Sequence, residues 1–212
     1  MATSAAGSDA QAQLLADKAA GDAGSTAPGR ARWLLAVCVL LNLFCNHWAR
    51  DSLGALEVAL ESAPLELSVA QYNTLTTGYF VPNIIVPLLA GGIAQRFGPA
   101  NALLLFASIG ALGNGLVALS SVRWSYGLLL GGRGCMGIAY EAVDVLPVGL
   151  LSPRFRDCWA TLVGVVNSSN RLGSVLNFLV EPRVLAAHGL RFALILPSIV
   201  GAAMFFSSLV RD

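Results

Sequence analysis

Six apolar runs, near 33–59, 70–94, 100–120, 125–151, 158–180 and 191–210, constrain this chain more than any other feature. A helix rises 1.5 Å per residue, so each run is long enough to cross a hydrocarbon layer of ~30 Å. Inside lipid the backbone must satisfy its own hydrogen bonds, so runs of this length form helices. The connectors, 61–69, 95–99, 121–124, 152–157 and 181–190, are short. Short links force successive helices antiparallel. The chain is therefore predicted to be an all-α membrane protein, a six-helix up-down transmembrane bundle over residues 31–212. Composition agrees: only 12% of residues are charged, about half the share in soluble domains. The lipid bilayer is the solvent this surface requires. A net charge of +1 gives no basic face for a nucleic acid.

Residues 1–30 are mostly Ala, Gly, Ser and Asp, with Leu14 and Leu15 their main large apolar side chains. Such a segment cannot bury enough surface to order itself and is read as a disordered cytosolic tail. It has no basic stretch leading into an apolar core, so it is not a signal peptide. Lysine and arginine placement sets the orientation. With both termini in the cytosol, that side holds Lys18, Arg30, Arg32, Arg96, Arg154, Arg156 and Arg211. The opposite side holds Arg123, Arg183 and Arg191, along with Glu61, Glu66 and Glu181.

The informative residues are charges the membrane should exclude. Asp51, Arg133, Glu141 and Arg171 lie well inside apolar runs, and Asp144 follows Glu141 by one turn. A charge at such depth faces a cavity or an opposite charge. Polar neighbours accompany them. Asn167, Asn170, Ser174 and Asn177 recur at helical spacing around Arg171, and His47 stands one turn before Asp51. With Asn83 and Arg133, they are candidates to line a water-filled cavity. Pro82, Pro87 and Pro147 interrupt helices, as in transporters that gate at broken helices. Gly110, Gly113, Gly115, Gly131, Gly132, Gly134 and Gly137 permit close helix packing. The four cysteines, Cys38, Cys45, Cys135 and Cys158, have no metal-ligand spacing and read as small buried thiols. Nothing calls for a cofactor or a metal.

Two motifs suggest a family. The connector Gly91-Gly92-Ile93-Ala94-Gln95-Arg96-Phe97-Gly98 resembles the cytosolic gate motif G-x-x-x-D-R-x-G of the major facilitators. Gly132-Arg133 followed by Gly137 resembles the R-x-x-x-G of their fourth helix. More closely, the chain resembles the major facilitator domain-containing protein 1 family of lysosomal dipeptide transporters, over roughly residues 32–210. The resemblance rests on Asp51 with Ala55-Leu56, on Pro82-Asn83-Ile84-Ile85, on Gly132-Arg133 with Gly137-Ile138 and Glu141, and on Gly164, Ser168, Arg171, Gly173-Ser174 and Asn177. Departures are Gln95 in place of the motif aspartate, Pro99-Ala100 in place of a basic pair, and Leu53 in place of a proline. The first two predict a cytosolic charge latch that is weakened or absent.

The resemblance implies the N-terminal half of the major facilitator fold, completed by a C-terminal half or by a second copy. It implies a uniporter of dipeptide-like zwitterions in the lysosomal membrane, without catalysis, whose substrate sits among Asp51, Glu141 and Arg171. It also implies a lysosomal accessory membrane glycoprotein as partner, with Leu14-Leu15 resembling a dileucine sorting signal. The chemistry is coherent on its own terms. A guanidinium at Arg171 would grip the substrate carboxylate, and a carboxylate at Glu141 or Asp51 its ammonium. Other membrane classes lack their signatures. A rhomboid-type protease needs a histidine on the last helix, and residues 191–210 have none. An aquaporin needs Asn-Pro-Ala repeats, and the nearest string is Pro99-Ala100-Asn101. The alternative is a non-transporting scaffold or accessory subunit, in which Asp51, Glu141 and Arg171 would be locked in ion pairs with one another.

Overall fold

A computed structural model describes residues 29–62 and 64–209. The sorting pair Leu14-Leu15, the two terminal cations Lys18 and Arg211, and the tail apart from Gly29 and Arg30 lie outside the described residues. Every regular element among the described residues is helical. Helix α1 spans Gly29–Ala55 and is followed by a single turn, α2, at Glu57–Leu60. Three long helices follow: α3 Val69–Phe97, α4 Pro99–Arg123 and α5 Tyr126–Leu151. Two short 3-10 turns, Ser152–Arg154 and Arg156–Cys158, lead into α6, Trp159–Ser207. Among the described residues, five helices are long and apolar enough to cross a membrane.

Local chemistry starts and stops these helices. Ser68 and Gln71 cap α3 reciprocally: the Ser68 hydroxyl accepts from the Gln71 N–H, and the Gln71 side chain accepts from the Ser68 N–H. Gly98 joins α3 to α4 at φ 84°, a conformation that favours glycine, and Pro99 opens α4 at its first position. The Ser125 hydroxyl accepts from the Leu128 N–H to cap α5.

The last element differs from expectation. Residues 181–190 read as a connector, but the helix continues through them and breaks only at Gly189, at φ 78° and ψ 172°. Pro182 does not end it. A proline costs a helix one N–H bond, and a membrane helix tolerates this when other donors occupy nearby carbonyls. The carbonyl left without its N–H is that of Phe178, and in the same turn the Arg183 guanidinium donates to the neighbouring Leu179 carbonyl. The element is thus two helical segments, 159–188 and 190–207, joined by a sharp kink.

Contacts give the direction of each helix. Tyr126 reaches the Gln71 carbonyl and Asn83 reaches Glu141, so α3 and α5 run parallel. Arg133 donates to the Arg50 carbonyl and Asn46 to the Tyr140 carbonyl, so α1 and α5 run antiparallel. Gly110 packs on Ala139 and Tyr140 while Gly113 meets Gly132, which sets α4 against α5. Ser169 donates to the Leu40 carbonyl and Phe178 packs at Gly54, so segment 159–188 runs with α1. Segment 190–207 runs against α4, with Met204 beside Gly110 and Gly201 beside Asn114. Direction therefore alternates along the chain through all six segments.

Glycine sets two of these approaches. A Cβ at Gly137 would run into the Tyr79 carbonyl of α3, and one at Gly173 into the Phe44 carbonyl of α1. Gly115 and Gly134, read in sequence as part of the same packing pattern, have open space where a Cβ would sit. The main apolar core is built around Leu53, Leu75, Phe106, Met136, Val143 and Met204.

Candidate functional site

Helix α5 carries its polar residues in one stripe: Arg133, Glu141 and Asp144 share the face that also buries Gly137 and Tyr140. Helix α1 opposes it with Asn46, His47, Arg50 and Asp51. Helix α3 adds Tyr72, Thr76, Tyr79 and Asn83, again at helical spacing. These three helices, with Phe178 of α6, enclose a cavity of about 410 Å³ whose walls include Asp51, Arg133 and Glu141. Arg50 and Tyr79, which the sequence reading did not single out, line it too.

Each charge has a different set of partners. Arg50 Nε donates to Asp51 Oδ1 at 2.9 Å, so these neighbours neutralise one another at the cavity wall. Arg133 is only 7% exposed. Its Nη1 donates to the Arg50 carbonyl at 3.0 Å, and its guanidinium lies 4.5 Å from the centre of the Tyr79 ring. Among the described residues its Nε has no partner, and no carboxylate reaches it within ion-pair distance. Glu141 Oε1 accepts from Asn83 Nδ2 at 3.1 Å and likewise meets no cation. The cavity therefore has an unneutralised guanidinium and an unneutralised carboxylate on one helix, two turns apart. A guanidinium held over an aromatic face and a single carbonyl keeps donors for a carboxylate or phosphate. A carboxylate held by one amide keeps acceptors for an ammonium.

Asp144 lies outside the cavity lining, toward the opposite end of α5. It accepts from Asn46 Nδ2 at 2.6 Å, and His47 Nε2 stands 3.1 Å from its other oxygen, off line for a hydrogen bond. His47 therefore sits in the α1–α5 packing seam.

The remaining candidates fall elsewhere. Arg171 is exposed on α6, outside the cavity lining, with no hydrogen-bond or ion-pair partner among the described residues. Asn167 is exposed, Asn170 and Ser174 are half-buried, and Asn177 is fully buried, so the polar stripe around Arg171 runs from an exposed edge to a packed one. Asp51, Glu141 and Arg171 are not paired with one another. In the connector motif, Gly91, Gln95 and Arg96 are exposed, and the Arg96 guanidinium lies 5.6 Å from the Phe97 ring. Gly98 serves as the turn.

The signals for the missed residues were weak. Arg50 adjoins the more conspicuous Asp51, and a tyrosine such as Tyr79 is ordinary in a membrane helix. Only the register between α3 and α5 reveals that its ring lies against Arg133.

No curated protein matches the sequence. The model of the Major Facilitator Superfamily matches residues 39–212. Alternating helices, membrane-length apolar segments, a charged interior cavity and this match over most of its length place the chain in the major facilitator superfamily of membrane transporters.

Proposed function

We propose that the protein transports small zwitterions of the dipeptide class across the lysosomal membrane, as a member of the major facilitator domain-containing protein 1 family. The observation that carries this reading is the pair of unneutralised charges, Arg133 and Glu141, lining one cavity. A peptide with free termini supplies the complementary charges. Glu141, with Asp51 nearby, takes the ammonium. A guanidinium takes the carboxylate, and Arg133 is the one that shares the cavity with Glu141. Arg171, unpartnered on the exposed face of α6, is the second contributor, acting from the side that a further helical unit would cover.

In this proposal the six segments all cross the bilayer with both termini cytosolic. They form the N-terminal half of the fold and work against a second six-helix unit, a C-terminal half or another copy, around a midplane site. Without the motif acid at Gln95, the cytosolic latch is weak.

Binding of dipeptides to the purified protein tests the reading. A dipeptide with free termini should bind. Its N-acetylated form should lose affinity in the wild type and lose nothing further in Glu141→Gln. Its C-amidated form should behave likewise with Arg133→Gln. Equal binding of capped and free peptides would remove the zwitterion assignment, and no binding at all would move the scaffold reading to the front.

A further inference from the structure

Glu181 was expected to face the exterior from a connector. In the structure it is helical and 0% exposed, and neither carboxylate oxygen has a hydrogen-bond partner. One turn earlier on the same face stands Asn177, also 0% exposed, with both Oδ1 and Nδ2 unpartnered. This face is the buried stripe of segment 159–188, formed by Leu162, Val166, Gly173, Asn177 and Glu181. The segment runs alongside α1, with Gly173 pressed on the Phe44 carbonyl and Phe178 at Gly54.

Among the described residues, no countercharge pairs with Glu181. Helix α6 packs chiefly on α1 and α4. On α1, Arg50 and Asp51 pair with each other. The exposed Glu57 of the following turn carries the same sign as Glu181. At the end of α4, Arg123 is exposed, and Arg191 of α6 lies over the Trp124 ring. Within α6, Arg183 donates to the Leu179 carbonyl, and His188 stacks on Phe192. An ionised carboxylate with no partner in a buried helix seam is among the costliest arrangements a membrane protein can hold. A metal ion would need more oxygen ligands than one carboxylate and one amide provide.

We infer that Glu181, with Asn177 beside it, is a proton-exchange site: the carboxyl carries a proton while the α1–α6 seam is closed and releases it to water when that seam opens. The bond that breaks is the carboxyl O–H, the proton passes to solvent, and the carboxylate is then hydrated. Movement of α6 relative to α1 is thereby linked to one proton. The inference is independent of which solute the cavity binds.

Infrared spectroscopy of the full chain in detergent tests this directly. At neutral pH the wild type should show a protonated-carboxyl C=O stretch that disappears as pH rises. Glu181→Gln should lack it, and Glu181→Asp should keep a band at a shifted position. Thermal unfolding between pH 5 and pH 9 gives a second readout. The wild type should lose stability as pH rises, because the folded state holds a proton that the unfolded state gives up. Glu181→Gln should lack that part of the slope. The inference is overturned if the wild type has no such band, if Glu181→Gln leaves both readouts unchanged, or if sodium ions alone stabilise the wild type and not the variant.

Discussion

Asn46 of α1 and Asp144 of α5 meet at 2.6 Å, amide donor to carboxylate acceptor, in the seam between two antiparallel helices. The same amide also donates to the Tyr140 carbonyl, and His47 stands against the second carboxylate oxygen. One carboxylate thus draws two successive residues of α1 onto α5 and sets the register in which Arg50 and Asp51 reach the cavity.

A double-mutant cycle on this pair should reveal coupling. Asn46→Leu should cost about 1 kcal/mol, the scale of interhelical hydrogen bonds in membranes. Asp144→Leu should cost more, because it also removes the carboxylate oxygen that stands 3.1 Å from His47 Nε2. The double variant should cost less than the sum. Reversible unfolding in mixed detergent measures all three, and strict additivity would refute the pairing.

Close helix approach predicts a sharp contrast between glycines. Gly137→Ala forces a Cβ onto the Tyr79 carbonyl and should destabilise the bundle by roughly 1–3 kcal/mol, the range for overpacking. Gly134→Ala, three residues away with open space around it, should be near neutral. If the two variants unfold at the same temperature, α3 and α5 do not touch at Gly137.

The Tyr79 ring holds the Arg133 guanidinium from one side. Tyr79→Leu should leave the fold intact while removing a cation–π contact of about 1 kcal/mol or more. On the zwitterion reading, affinity for a free dipeptide falls several-fold and affinity for its C-amidated form does not. An equal fall for both would mean that Tyr79 shapes the cavity without steering Arg133.

Much of the architecture is visible in sequence because membrane thickness imposes a length that apolar runs must meet. The error at 181–190 has a physical cause. Glu181, Pro182 and Arg183 look like a loop when read as polarity and helix breaking, but the helix runs on through Pro182 to the break at Gly189 and Glu181 turns inward. Charges at depth also announce themselves, so Asp51, Arg133 and Glu141 could be named before the helices were placed. Their partners could not. That Glu141 pairs with Asn83 and Asp144 with Asn46 depends on helix rotation and register. Asn167, Asn170, Ser174 and Asn177 make the same point. Their spacing gives one stripe around Arg171, but only the packing of α6 shows that its Asn167 edge is exposed and its Asn177 edge fully buried.

Arg171 provides the last test, since its exposed guanidinium has no described partner. A charge at that depth cannot face hydrocarbon at low cost. Its side must be wetted, or covered by another helical unit. Arg171→Cys, in a background with Cys38, Cys45, Cys135 and Cys158 replaced by serine, separates these surfaces from lipid. A membrane-impermeant maleimide reacts with thiolate, which forms in water and not in hydrocarbon. The variant should label in membranes, and a bound dipeptide should slow the labelling if Arg171 belongs to the transport path. Labelling that a dipeptide leaves unchanged would place Arg171 on a wet surface away from the substrate. Failure to label in membranes, with normal labelling after unfolding, would mean that lipid or a tightly packed partner covers this face. Cross-linking through the same cysteine then distinguishes the two, because only a protein neighbour can be captured.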